Sequence, residues 1–489
     1  MNRLKLISLV LPLTVVDPVS AQTAPIGQPT ATFAERVAAT LTTPIGTRFG
    51  FVVVDDAGRE LVAINPDQRF IPASNTKMFT TAAAFLSLDG LDRPDTTGGA
   101  SVRIERSGRW RDVILEGHGD ARLSSAADCA VDCLATLADA VAATTRQVRD
   151  VVGDDTLYPD QRWSPGMSWN NIPTKSGNAT SALTLDDNEL AVTVAPGALG
   201  QPPSVTPLAD YTIDNRALTV ASGATAIDFD RAPNGTVVRL SGTIALGAKP
   251  EELRLGVDDP ARHAASVLLR MLQARGVRVG GGATSWHRSV APGDDPVVRG
   301  AVPVARAATA EPLALLTPPP LADDLTIINK VSQNLHAELM LRRIGRITGT
   351  GSIADGQVVV RAMLAQAGVA RTAFDFADGS GMSTYNRVAP RGVVTFLRWT
   401  ATQPWGAAWR ATLPVGGEAS LKRRFAGTAL DHKLFAKTGT LNATNALSGF
   451  LIAASGRQLT FSILANDVPD GISALPAMDR ALLMVAAEN

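Results

Sequence analysis

The chain has 489 residues, 45% of them hydrophobic and 19% charged, with 46 basic and 46 acidic side chains. That apolar content is enough for the cores of roughly three domains and excludes a wholly disordered chain. Zero net charge leaves no basic excess for nucleic acid, and five histidines with two cysteines leave little material for a zinc cluster, so no metal or organic cofactor is expected.

The chain opens on Arg3 and Lys5, an apolar stretch over 6–16 interrupted by Asp17-Pro18, and the small-x-small run Val19-Ser20-Ala21. This pattern predicts a secretory leader over 1–21, cleaved after Ala21, and hence a periplasmic or extracytoplasmic protein. A retained membrane tether is the alternative. Export also suits a disulfide between Cys129 and Cys133. If 126–143 is a helix, the two lie one turn apart, within bridging reach but imperfectly oriented, so a bridge and two buried thiols both stay open.

Strands are predicted over 49–54 and 60–64 around the turn Asp56-Ala57-Gly58-Arg59. A helix follows behind Pro72, from Ser74 to Leu88. From about 96 to 302 the character changes to short β-like segments (102–104, 113–116, 190–195, 237–242) separated by turn residues. A helix over 260–275, closed by Gly276, interrupts them. Residues 303–320 read as a linker ending in three prolines. Helices return over 322–344, capped by Gly345, and over 353–367 before Gly368. Strands over 435–441, 446–453 and 458–466 finish the pattern. An α+β domain split by a large β-rich insertion accounts for this order.

Three short motifs carry chemistry. Ser74-Asn75-Thr76-Lys77 places a lysine amine one turn after a hydroxyl at a helix start. A serine is a weak nucleophile until a base takes its proton, and a lysine is a base only if burial or a neighbouring cation such as Lys437 lowers its pKa. Ser332-Gln333-Asn334, read as lying on the helix 322–344, offers a hydroxyl to relay a proton to a leaving amine and an amide to hold the lysine and a substrate. Lys437-Thr438-Gly439-Thr440, on a strand, offers a cation and hydroxyls for a carboxylate. Its glycine lets a substrate backbone approach the strand edge. The N–H groups of Ser74 and Thr440 would form an oxyanion hole. His336 reads as a core or supporting histidine and His432 as a loop residue. Asp154 and Asp155, adjacent in a strand, face opposite sides and make a poor acid/base pair.

Each motif alone is common. In this order, on these elements, they match the set found in penicillin-recognising serine enzymes. With Gly153-Asp154-Asp155, Ser181-Ala182-Leu183-Thr184-Leu185-Asp186-Asp187-Asn188, Asn329-Lys330-Val331 before Ser332, Leu335-His336-Ala337-Glu338 after Asn334, and Asp378-Gly379-Ser380-Gly381-Met382-Ser383, the chain resembles the D-alanyl-D-alanine carboxypeptidase/endopeptidase family of the penicillin-binding protein 4 type, peptidase family S13. The resemblance runs from about residue 48 to 467, and 254 residues separate Lys77 from Ser332, as that family's long insertion requires.

The resemblance implies a penicillin-binding-protein/β-lactamase-like transpeptidase core of α+β class with a two-domain insertion. The implied division is core over 22–94, inserted domain II over 95–180, inserted domain III over 181–259, domain II again over 260–305, and core over 306–489. It implies an exported serine DD-peptidase acting on peptidoglycan stem peptides and inhibited by β-lactams. Ser74 is then the nucleophile and Lys77 the base, with Ser332, Asn334 and Lys437 completing the catalytic set and Thr438, Gly439 and Thr440 binding substrate. Many family members carry arginine after the Asp-Gly-Ser-Gly-x-Ser run, where it reads the carboxylate of a diaminopimelate side chain. This chain has Thr384 there, and Asp155 matches the other recognition residue. A β-lactamase or esterase on the same core, and a non-catalytic penicillin-binding sensor, are the alternatives. The insertion disfavours the first, and the full motif set disfavours the second.

Overall fold

The structure, a computed structural model, describes residues 31–302, 304–305 and 310–489. The expected leader lies outside them. Among the described residues no helix is long and apolar enough to cross a membrane.

The first and last parts of the chain meet in one antiparallel sheet. Its order is Leu434–Leu441, Thr444–Ile452, Gln458–Asn466, Arg48–Val54, Glu60–Ile64. The central strands are buried on both faces, so their sequences read as apolar runs rather than as alternation. Successive residues still serve opposite layers. Ala446, Phe450 and Leu464 pack on a helical layer that contains Met78, Phe79, Ile328, Met340 and Phe396. Leu447, Leu451 and Ile463 pack on the terminal helices, with Val37, Met478, Leu482 and Val485.

The inserted region builds its own sheets. Ala283–Arg288, Val151–Pro159, Trp110–Glu116, Ser101–Ser107 and Ala314–Leu315 form a mixed five-stranded sheet. Helices Leu134–Thr144 and Pro260–Ala274 cover it through Leu134, Leu137, Val141, Leu268 and Leu272. Between Val151–Pro159 and Pro260–Ala274 the chain makes smaller sheets around Val192, Val194, Val238, Leu240 and Leu255. The stretch read as a linker thus contributes a short edge strand, Ala314–Leu315.

Two expected helices differ. The helix expected over 126–143 starts only at Leu134. Asp132 takes a left-handed φ of 61°, and Ser124 pairs with Cys133 as a β-bridge, so the chain is extended where a helix was expected. Cys129 and Cys133 are disulfide-bonded, with Cα atoms 5.8 Å apart, in this loop rather than across a helical turn. The helix expected over 322–344 is two helices, Leu321–Lys330 and Asn334–Gly345. Ser332, at φ 67°, breaks them, and the Gln333 side chain accepts from Leu335 N to start the second. Gly345 is not a left-handed cap. It is the point where this helix touches the next, Ile353–Gln366: a Cβ there would lie 2.5 Å from the Gly356 nitrogen.

Candidate active site

Behind Pro72 the chain makes one tight turn, Ala73–Asn75, before the helix Thr76–Ser87. Ser74 stands at that entrance and Lys77 one turn on. Every residue from Thr76 to Ala84 is buried, so the Lys77 amine has no route to bulk water along its helix. The edge strand Leu434–Leu441 lies directly against this turn. A Cβ on Gly439 would lie 2.7 Å from Pro72 O and 3.1 Å from Ser74 N, so glycine is what allows the strand so close. Asn75 fixes the contact by donating to Lys437 O at 2.7 Å.

Lys77 Nζ donates to Ser74 Oγ at 3.0 Å, to Asn334 Oδ1 at 2.5 Å and to the Ser380 carbonyl at 2.6 Å. Lys437 Nζ donates to Ser332 Oγ at 2.9 Å and to Thr438 O at 3.0 Å. The structure thus brings Ser74, Lys77, Ser332, Asn334 and Lys437 together from three chain segments. Ser332 and Asn334 come from the break between two helices, not from within one. Thr438 Oγ1 donates to Ser420 Oγ at 3.1 Å. Earlier on this strand Ala436 N–H points outward, to Pro414 O at 3.0 Å. By strand alternation the N–H groups of Thr438 and Thr440 face the same edge.

Burial drives the electrostatics. Lys77 is fully buried, and loss of water lowers its pKa to about 7 against the opposing charges of Asp378 and Glu338. Lys437 is held well below its ordinary range by burial first and by the charge of Lys77 second. Burial is thus the main cause at Lys77, as expected, and the two amines, being like charges, disfavour each other's charged form. Asp378 rises to about 6, through burial and then the Glu338 charge. Its oxygens accept from Gly381 N, Ser383 N and Asn386 Nδ2, while Glu338 Oε1 accepts from the N–H groups of Gly379 and Ser380. These two carboxylates shape the loop that presents the Ser380 carbonyl to Lys77. Both were within motif strings but without a role. A charge at 338, inside the apolar helix run, was the available signal.

The inserted region reaches the site from its 165–176 stretch. Asn334 Nδ2 donates to Ser176 O at 2.9 Å. Ser383 Oγ donates to Pro165 O at 2.6 Å, and Thr384 N and Oγ1 donate to Gly166 O at 2.9 and 3.0 Å. Thr384 is thus on the rim, exposed, with its hydroxyl turned to the inserted loop. Asp155 is not brought to the Ser74 cluster. It is buried in the inserted sheet, accepting from Ser181 Oγ at 2.8 Å and facing His287 Nδ1 at 2.9 Å. His287 also meets Asp259, at 3.3 Å, and this histidine was not singled out in the sequence.

The fold is shared with the crystal structure of penicillin-binding protein 4 from Haemophilus influenzae, at TM-score 0.76 and 20% identity over 92% of this chain and 98% of that one. A second structure of that protein, complexed with a β-lactam, matches at TM-score 0.70 and 19% identity over 93% and 98%. The architecture is therefore that of the penicillin-binding-protein class, α+β with a divided core. Residues 33–487 match the family described as the D-Ala-D-Ala carboxypeptidase 3 (S13) family, and the chain belongs to this family of serine-type peptidases. A D-alanyl-D-alanine carboxypeptidase of Actinomadura sp. (strain R39) is 34% identical over 440 residues, 86% of this chain and 78% of that protein.

Proposed function

We propose that the protein is an exported DD-peptidase that cleaves peptidoglycan stem peptides through an acyl-enzyme on Ser74 and is inhibited by β-lactams. One observation carries the reading: Ser74 Oγ lies 3.0 Å from a fully buried Lys77 amine whose pKa is near 7. A neutral amine there takes the serine proton as Oγ attacks the carbonyl between two D-residues. The N–H groups of Ser74 and Thr440 hold the developing oxyanion. The proton taken by Lys77 is relayed to the leaving amine through the Ser332 hydroxyl, which Lys437 holds, so that Ser332 ends protonated and Lys77 neutral again. Lys437, Thr438 and Thr440 hold the terminal carboxylate, and water then releases the acyl group. The chemistry falls to residues 22–94 and 306–489, and the domains inserted over 95–305 hold the cleft and its substrate. Export rests on the N-terminal pattern of Arg3, Lys5 and the apolar stretch 6–16.

The test is acylation by penicillin followed by peptide mapping, with digestion of purified peptidoglycan fragments in parallel. A stable adduct on the Ser74 peptide and loss of terminal D-alanine, or of a D-alanine cross-link, are expected. An adduct on another serine overturns the assignment. Fast turnover of penicillin without an accumulating adduct would mark a β-lactamase instead.

A further inference from the structure

Two strained segments face each other beside the cleft. One is the helix break, where Ser332 holds φ 67°. The other is the inserted run Asp186-Asp187-Asn188, with left-handed φ values of 48°, 56° and 54°. Left-handed residues that are not glycine persist only where their surroundings hold them. Each segment is tied down within itself: Gln333 caps the helix start, and Asn188 Nδ2 donates to Ala179 O at 2.9 Å. Between them stands His336, in the first turn of the helix that Asn334 begins and 3% exposed.

The His336 ring joins three elements. Nε2 lies 2.8 Å from Asp187 Oδ1 on the inserted loop. Nδ1 lies 3.3 Å from Asp324 Oδ1, on the helix before the break, within ion-pair distance but out of line for a hydrogen bond. An imidazole that donates to one carboxylate through Nε2 and lies at ion-pair distance from a second through Nδ1 is favoured as imidazolium. Asp187 and Asp324 favour that form. Asp187 and Glu189 come from the inserted loop, and Asp324 from the preceding helix. Arg122, Asp120 and Asp132 come from the loops that follow Trp110–Glu116. Asp95 and Arg343 face the same small cavity as the ring. Burial opposes the charge, yet the two carboxylates prevail and lift the pKa to about 9.

We propose that His336 is a positioning residue: its bridge between Asp187 and Asp324 clasps the inserted loop to the helix break and so holds Ser332 against Lys437 and Asn334 against Lys77. This rests on the Ser74 reading and adds to it a contribution of the insertion to proton transfer. The sign with pH follows. Below about 6.5 the ring is charged in the folded and unfolded chain alike, and the clasp is fully present. It is lost as pH rises through about 9.

The experiment compares wild type, H336Q, D187N and the double variant by three readouts: penicillin acylation rate against pH, thermal midpoint, and amide exchange over 186–188 and 332–335. Displacing Ser332 and Asn334 by a fraction of an ångström should slow acylation by H336Q about 10- to 100-fold. D187N should lose a similar factor, and the double variant no more than either alone. Both segments should exchange faster in H336Q, and the fall in wild-type acylation as pH passes about 9 should vanish. Wild-type acylation and exchange in H336Q overturn the clasp whatever the thermal midpoint does. Additive losses overturn the pairing with Asp187. A wild-type enzyme never acylated at Ser74, with exchange still altered in H336Q, overturns the Ser74 reading and upholds the clasp.

Discussion

The Ser74 cleft and the inserted sheet both bury charged side chains, and they resolve the cost in opposite ways. In the cleft, no carboxylate among the described residues lies within ion-pair distance of the Lys77 amine. The nearest candidates, Asp378 and Glu338, are occupied by backbone N–H groups of the 379–383 loop. Burial therefore prevails and Lys77 falls to about 7. In the inserted sheet, His287 meets Asp155 at 2.9 Å and Asp259 at 3.3 Å, and the carboxylates prevail, raising it to about 10. The difference lies in the counter-charge, present in one place and diverted in the other. A group kept neutral can take a proton at pH 7, and a group kept charged fastens structure.

Stability follows the same division. Between about 7 and 10.5 the folded chain binds fewer protons at Lys77 than the unfolded one, so this group makes stability rise with pH across that window. His287 does the reverse. Its contribution is complete below about 6.5 and is lost as pH rises through about 10.

The comparison breaks most sharply at the cleft. Ser74→Ala should abolish penicillin acylation and peptide cleavage, a loss above about 10⁴-fold, read by adduct mass and product analysis. Lys77→Arg should slow acylation by about 10²- to 10⁴-fold, because a guanidinium stays charged and cannot serve as a base. The wild-type rate should rise with pH through about 7, as Lys77 loses its proton. A stopped-flow pH profile without that limb, or a near-native arginine variant, would remove the reason for withholding counter-charge from the cleft.

How much of this was legible depends on range. The outer hairpin and the last three strands are local apolar runs bounded by turn residues, and they form where the pattern puts them. The break at Ser332 was hidden, because 322–344 carries an unbroken helical pattern, while the Ser332 hydroxyl is bound by Lys437 from a distant strand and the Gln333 side chain starts the second helix. The pairing of Ala283–Arg288 with Val151–Pro159 joins strands more than a hundred residues apart, beyond what any local pattern encodes. His287 was invisible for the same reason. It is one histidine in a strand, and its partners at 155 and 259 are distant in sequence. The three motifs were legible because each is short and carries its chemistry in its own residue types. Asp378 and Glu338, which hold the Ser380 carbonyl in place, act through folded backbone and left only a buried charge as a trace.

Thr384 lies where the two regions touch, so it sharpens the comparison with a smaller effect. Its hydroxyl is spent on the Gly166 carbonyl at 3.0 Å. Arginine there gives up that bond and presents a guanidinium to a side-chain carboxylate on the substrate. Thr384→Arg should favour peptides bearing that carboxylate over analogues lacking it by about 1–3 kcal/mol, roughly 5- to 150-fold in kcat/KM. Paired peptides measured in both enzymes test this. No change in the ratio would mean the carboxylate is read elsewhere.

The smallest expected effect on chemistry belongs to Asp155, and it separates the two regions most cleanly. Asp155→Asn leaves His287 with Asp259 alone and removes the stronger of its two carboxylate bonds. The sheet should lose about 1–3 kcal/mol at neutral pH, seen as a lower thermal midpoint. The deficit should shrink as pH climbs toward 10, where the wild-type ring also loses its proton. Acylation of Ser74 by penicillin should stay within about twofold of wild type, since no bond of Asp155 reaches the cleft. A penicillin penalty comparable to that of Lys77→Arg would show that the inserted sheet carries chemistry. A fall in kcat/KM confined to peptides with a charged side chain, at unchanged penicillin acylation, would restore Asp155 as a reader of substrate and make His287 the group that holds it ready.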